Sequence, residues 1–291
     1  MFKGSLVALV TPMMDSGEID YAKLEKLIDF HVEQGSHGLV IAGTTGESAT
    51  LNFEEHCELL NRAHEMINQR LPMIAGTGAN STSEAIHLTN CALKAGCDAA
   101  LLVTPYYNKP TQEGLYQHHK AIAEAVSIDQ LLYNVPGRTA CDMKAETVAR
   151  LSKVPNIIGI KEATGDMQRL YQIQQLVDKD FNLLSGDDAT TREFILQGGH
   201  GSISVTANVV PAQMAAMCQA ALDGNAELAQ QIDEKIETLH SALFLESNPI
   251  PVKWAVAQMG WCGTTLRLPL TVLDEKFHAQ LRSAMQSAGA L

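Results

Sequence analysis

A few short stretches of this chain hold residue types that can do chemistry. The first is Ile157-Ile-Gly-Ile-Lys-Glu162, an apolar run with a lysine near its end. In strict strand alternation Lys161 shares a face with Ile157 and Gly159, while Ile158, Ile160 and Glu162 point the other way. Desolvation disfavours the charged form of an amine lodged among apolar residues, and a neutral amine is what attacks a carbonyl to form a Schiff base. The same side chain can instead emerge into solvent or pair with Glu162, and spacing alone leaves both readings open. The second stretch is Gln130-Leu-Leu-Tyr-Asn-Val135. There Tyr133 is either a proton carrier or a core tyrosine with a satisfied hydroxyl. It runs directly into Pro136-Gly-Arg-Thr139, where Arg138 either clamps a carboxylate through two N–H groups or lies on the surface.

The turn Gly43-Thr-Thr-Gly-Glu-Ser48 exposes backbone N–H groups that suit a carboxylate or phosphate, and Thr44 and Thr45 add hydroxyls. Such turns also serve as plain connections. Gly76-Thr-Gly-Ala-Asn-Ser81 begins like a dinucleotide fingerprint, but Ser81 stands where the third glycine belongs, so it reads as a turn and helix cap. The ten histidines include no H-E-x-x-H and no ligand set, which disfavours a metal-dependent aldolase.

These stretches sit at or just past the ends of β-rich runs, eight in all: 5–10, 38–43, 72–76, 99–104, 130–135, 157–162, 182–186 and 201–206. Between them lie helical patterns such as 20–34, 52–70, 81–95 and 113–126. Many runs are apolar on both faces, as a parallel sheet covered on both sides requires. Strict alternation of eight strands with helices predicts an α/β fold, a (β/α)8 TIM barrel, more than an open sheet. After residue 210 only helical patterns continue, at 214–222, 226–245, 251–259 and 274–286. The expected organisation is a barrel domain over 1–224 and a small C-terminal helical extension over 225–291. Asn52-Phe-Glu-Glu55 and Ser81-Thr-Ser-Glu84 both have capping-box spacing, and Gly35 and Gly96 fall where helix C-caps belong.

Composition narrows the class. With 21 basic and 33 acidic residues the 291-residue chain carries −12, which argues against a nucleic-acid partner. No apolar run is long enough to span a bilayer, so no membrane partner is expected. The run at 5–10 is cut short by Thr11-Pro12 without a cleavage site, and the chain is read as cytoplasmic. The six cysteines show no C-x-x-C and no metal spacing, and are expected to be reduced, mostly buried thiols.

Gly43-Thr-Thr-Gly-Glu47, Tyr133-Asn-Val-Pro-Gly-Arg-Thr139 and Gly159-Ile-Lys-Glu-Ala-Thr164 resemble, in order, the signature blocks of the pyruvate-dependent class I aldolase/lyase family. The likeness spans essentially the whole chain and is greatest to its dihydrodipicolinate synthase branch. It implies a cofactor-free lyase in which Lys161 forms an imine with pyruvate. The derived enamine adds to L-aspartate 4-semialdehyde, opening the diaminopimelate route to lysine. The resemblance assigns proton relay to Thr44, Tyr133 and Tyr107, the last supplied across a subunit interface of a homo-oligomer expected to be a tetramer, a dimer of dimers. It assigns the pyruvate carboxylate to Thr45 and nearby N–H groups, the pocket lining to Gly186 and Ile203, and the semialdehyde carboxylate to Arg138. Feedback inhibition by L-lysine is implied at Ser48, Ala49, Phe53, His56, Asn80, Glu84 and Tyr106. Phe53 departs from the histidine common in lysine-sensitive members, and Glu84 also fits the capping box from Ser81. The alternative is an N-acetylneuraminate lyase-like or other sugar-acid aldolase of the same family. Gly137-Arg138-Thr139 weighs against it.

Overall fold

Each of the eight runs becomes a strand in the computed structural model, which describes residues 1–291. They are β1 (Gly4–Ala8), β2 (Gly38–Ile41), β3 (Met73–Gly76), β4 (Ala99–Val103), β5 (Asp129–Asn134), β6 (Ile157–Glu162), β7 (Asn182–Ser185) and β8 (Gly201–Ser204). Each pairs in parallel with the next, and β8 pairs back to β1, so the sheet closes into a barrel. The helices around it are α1 (Tyr21–Glu33), α2 (Phe53–Ile67), α3 (Thr82–Ala95), α4 (Gln112–Ala125), the single turn α5 (Pro136–Thr139) and α6 (Ala145–Leu151). They continue with α7 (Met167–Gln174), α8 (Thr191–Leu196), α9 (Pro211–Leu222), α10 (Ala226–Ala242), α11 (Ile250–Gln258) and α12 (His278–Ser287).

One apolar cluster fills the bore: Leu6, Ala8, Val40, Ile74, Leu101, Leu131, Leu184 and Ile203 belong to it, with Tyr133 at its upper end. Neighbouring strand positions face outward into the layer beneath the helices, as strand alternation requires. The alternation breaks once. Between β5 and β6 the register steps from Gln130↔Ile157 to Leu131↔Gly159, so Ile158 is an extra, bulged residue. Ile157 therefore packs with the helix-side cluster and Ile158 against the bore, the reverse of strict alternation. Above the bulge Lys161 keeps the expected inward face and pairs in register with Tyr133.

Local signals at the helix ends hold in part. Asn52 and Glu55 form a complete capping box at α2. At α3 only half forms: Ser81 Oγ accepts the Glu84 N–H at 3.5 Å, and the Glu84 carboxylate does not return. Gly96 caps α3 at φ +83, and Gly35 follows the α1 cap at φ +76, conformations open mainly to glycine. The cysteine expectation needs correction. Cys57 on α2 and Cys91 on α3 are joined in a disulfide, while Cys97, Cys141, Cys218 and Cys262 are free and buried. The pair is 34 positions apart in sequence, and only the packing of adjacent helices brings the Cα atoms to 5.4 Å.

The C-terminal helices share their apolar core with the barrel's own. One cluster joins Leu24 and Leu27 of α1 to Ile236 and Leu239 of α10 and to Val252 and Val256 of α11. Inside it Lys253 is wholly buried and ion-paired with Glu47, which is equally buried. Arg267 ties the same region down, bonding Glu55 at 2.5 and 2.9 Å and the backbone oxygens of Gly17 and Thr50. No helix is long and apolar enough to cross a membrane.

Removing one partner of a buried ion pair leaves the other charge uncompensated. Lys253→Met should lower stability by about 3–5 kcal/mol in denaturant unfolding. The double change Glu47→Leu with Lys253→Met should recover most of that loss.

Candidate active site

In barrels of this kind the mouth at the C-terminal strand ends carries the chemistry. Here it is lined from six strands and the turns that follow them. Lys161 projects from β6, 5% exposed, with Nζ 4.4 Å from the centroid of the Tyr133 ring on β5. Its neighbour Glu162 faces away and is committed elsewhere. Glu162 accepts hydrogen bonds from Asn134 Nδ2 at 3.1 Å and the Thr164 N–H at 2.8 Å, with Arg169 at 4.0 Å. Burial pushes the Glu162 carboxyl up from its ordinary value. Arg169 is held by Asp142 at 2.8 and 2.9 Å, and its guanidinium keeps that carboxyl well below the usual range. The pairing of Lys161 with Glu162 left open by spacing is thus not made, and the amine stands over the bore without a carboxylate partner.

Gly186, just past β7, is what gives the amine its path. A Cβ there would lie 2.8 Å from Lys161 Cε and 2.6 Å from Ala163 Cβ. The resulting cavity, about 120 Å³, has Ala8, Val40, Leu101 and Ile203 as apolar wall, with Thr44, Thr45, Tyr133, Arg138, Asp187 and Asn248 as polar groups. Above it an outer chamber of about 300 Å³ shares Thr44, Val135, Arg138 and Asn248 and extends to Ser48, Ala49 and Tyr106. Arg138 is exposed on α5, and its guanidinium has neither an ion pair nor a hydrogen bond within the chain.

The Gly43–Glu47 turn is held tightly. Gly46 and Ser48 N–H groups bond the Gly43 carbonyl at 3.1 and 3.2 Å, and Thr11 Oγ1 donates to the Gly46 carbonyl at 2.8 Å. Glu47 sits at φ +60, a left-handed conformation costly to a residue with a Cβ. Its carboxylate is anchored by Lys253 and by the Arg267 N–H at 3.1 Å. Burial pulls the Lys253 amine below its ordinary value, against the opposing pull of Glu47.

Three residues here carried no sequence signal. Asn248 donates from Nδ2 to Thr45 Oγ1 at 3.1 Å, and its buried Oδ1 has no partner. Phe244 closes one side of the cavity. Lys253 lies 206 positions from Glu47 and reads in sequence as an ordinary helix lysine.

Tyr107 is not brought to the cavity of its own chain. It stands 89% exposed at φ +74. Of the residues expected to take an effector, Ser48, Ala49 and Tyr106 line the outer chamber, and Asn80 bonds the Tyr106 carbonyl through Nδ2 at 3.2 Å. Burial first, then the Glu84 charge, pushes the Tyr106 hydroxyl up. His56 is buried, which pulls its imidazole down to about 4, and Phe53 is half exposed.

Comparison with known proteins shows the family of the chain. The model of the dihydrodipicolinate synthetase family matches residues 1–288. The chain belongs to that family. It is 61% identical over 291 residues, the full length of both chains, to 4-hydroxy-tetrahydrodipicolinate synthase of Teredinibacter turnerae. It is 58% identical over the full length of both to the enzyme of that name from Pseudomonas aeruginosa. Among solved structures it is similar to the chloride-inhibited dihydrodipicolinate synthase of Acinetobacter baumannii complexed with pyruvate, at TM-score 0.99 and 52% identity over all of both chains. The lysine-bound enzyme of Cyanidioschyzon merolae matches at TM-score 0.96 and 41% identity, over 100% of this chain and 99% of that one. The resemblance read from the three blocks is borne out, and the protein is a lyase of the class I aldolase kind. The family's relatives support a condensation step of lysine biosynthesis.

Gly186→Ala should displace Lys161 from its slot. Borohydride-trapped pyruvate adduct, counted by mass spectrometry, is expected to fall by at least about tenfold, since ångström misplacement of a reacting group costs about that or more. Overpacking against Ala163 should also cost about 1–3 kcal/mol in denaturant unfolding.

Proposed function

We propose that the protein condenses pyruvate with L-aspartate 4-semialdehyde through an imine on Lys161, giving 4-hydroxy-tetrahydrodipicolinate. The observation that carries this reading is an unpaired lysine, 5% exposed, at the floor of a small cavity whose rim holds an unpaired arginine. The Lys161 amine adds to the keto carbon of pyruvate and water leaves, forming the imine. Loss of a methyl proton gives an enamine, whose carbon bonds to the aldehyde carbon of the second substrate. The amino group of that substrate then attacks the imine carbon, the bond to Lys161 breaks, and the ring closes. No cofactor or metal takes part.

Thr45 and the N–H groups of its turn hold the pyruvate carboxylate, and Arg138 holds that of the semialdehyde. Both substrates are anions, so these groups supply locally the positive potential that a chain of charge −12 lacks. Tyr133 moves protons through Thr44 to Tyr107 of the partner subunit. The exposure of Tyr107 in its own chain supports that assignment, and the assembly proposed with it is a homotetramer, a dimer of dimers. The enzyme works in the cytoplasm.

L-Lysine binds beside the outer chamber and inhibits. The Glu84 carboxylate, free of the half-formed cap, receives an ammonium group, while Asn80 and Tyr106 receive the carboxylate and Ser48, Ala49 and His56 complete the surround.

Purified protein should consume pyruvate with aspartate semialdehyde and not with N-acetylmannosamine; the opposite pattern would overturn the assignment of Arg138. Lys161→Ala should abolish the borohydride adduct. Arg138→Ala should retain it while raising the semialdehyde KM by about tenfold or more, as expected for a lost charge-assisted bidentate contact. Tyr133→Phe should slow kcat by about 10²-fold or more, the scale of general acid–base catalysis.

A further inference from the structure

Away from the mouth, α2 and α3 bring together three ligand-type side chains that the reaction does not use. Cys57 from α2 and His87 and Cys91 from α3 place their sulfur and ring-nitrogen atoms within 4.8 Å of one another. His87 and Cys91 are four residues apart, so one helix face presents both toward Cys57. The two sulfurs are joined as a disulfide. A disulfide has no need of an imidazole, yet His87 stands at the pair with no hydrogen bond or ion pair of its own. Its ring leans on Phe53, centroids 5.4 Å apart, and remains open to solvent.

We propose that Cys57, His87 and Cys91 form a redox-gated site for a zinc-type divalent cation, with water as the fourth ligand. Two thiolates and an imidazole are a donor set that such a cation takes in tetrahedral geometry. The oxidised pair is closed to metal, because the thiolate and not the disulfide sulfur is the ligand. A dithiol reductant opens the site. The S–S bond breaks, the sulfurs take up two electrons and two protons, and the reductant leaves as its own disulfide. The cation then binds both sulfurs and releases both protons to solvent. With Zn–S bonds of about 2.3 Å the sulfurs would stand about 3.8 Å apart, within the span the ligand atoms already occupy. Either state links α2 to α3, by a covalent bond when oxidised and through the metal when reduced.

Cobalt titration of the full chain, reduced with a phosphine and then freed of it, tests the proposal. One equivalent should give the visible bands of tetrahedral cobalt with thiolate charge-transfer absorption, and zinc should displace it. Cys57→Ser and Cys91→Ser should lose the charge-transfer signal, and His87→Ala should weaken binding by about tenfold or more. Far-ultraviolet circular dichroism of each variant separates ligand loss from misfolding. The disulfide form should bind no cobalt. An octahedral spectrum in the reduced protein, a spectrum untouched by His87→Ala in a folded variant, or equal uptake by the oxidised protein would each overturn it.

Discussion

Glu47 and Lys253 are both wholly withdrawn from water, and two charges so buried persist only because they meet. Their contact joins the turn after β2 to α11, across most of the chain. The turn needs that anchor. It holds Glu47 in a left-handed conformation and presents Thr44 and Thr45 to the cavity, a geometry that local preferences alone would not keep. Arg267 and Asn248 act alongside, one on the Glu55 and Glu47 carboxylates, the other on the Thr45 hydroxyl. The C-terminal helices thus position the mouth as directly as the barrel strands do.

On the opposite wall the constraint is one of register. Tyr133 and Lys161 are opposed on β5 and β6, and Asn134 and Glu162 are opposed one step on. The inward pair faces the cavity while the outward pair joins Asp142 and Arg169 in a hydrogen-bonded network beneath the helices. That network occupies the carboxylate nearest in sequence to Lys161. Gly186 leaves out a Cβ that would press on the Lys161 side chain. The wall therefore supplies a lysine with space above it and no ion pair of its own.

Much of this was legible along the chain. The eight strands follow from short apolar runs bounded by turn residues, and their interleaving with helical patterns predicts closure. Lys161, Tyr133, Thr44, Thr45 and Arg138 were placed at one mouth because each lies at or just past a strand end, Gly186 and Ile203 were added by the family resemblance, and all seven line one cavity. The face of Ile157 was not legible, because a bulged residue is one extra count that periodicity does not register. Glu84 was misjudged in its cap: the Asn52–Glu55 box closes and the equally spaced Ser81–Glu84 pair does not, since spacing permits the return bond without compelling it.

What the sequence determined by itself was everything that depends on neighbours a few positions away: strand and helix periods, glycine caps, and the three blocks whose order names the family. Only the tertiary structure decided the Glu47–Lys253 pair, the Asn248 contact with Thr45, the Cys57–Cys91 link and the outward stance of Tyr107. Lys253 reads as a surface lysine until the barrel and its C-terminal helices close over it. A buried charge or thiol is defined by what surrounds it, and that surround exists only once distant segments have met.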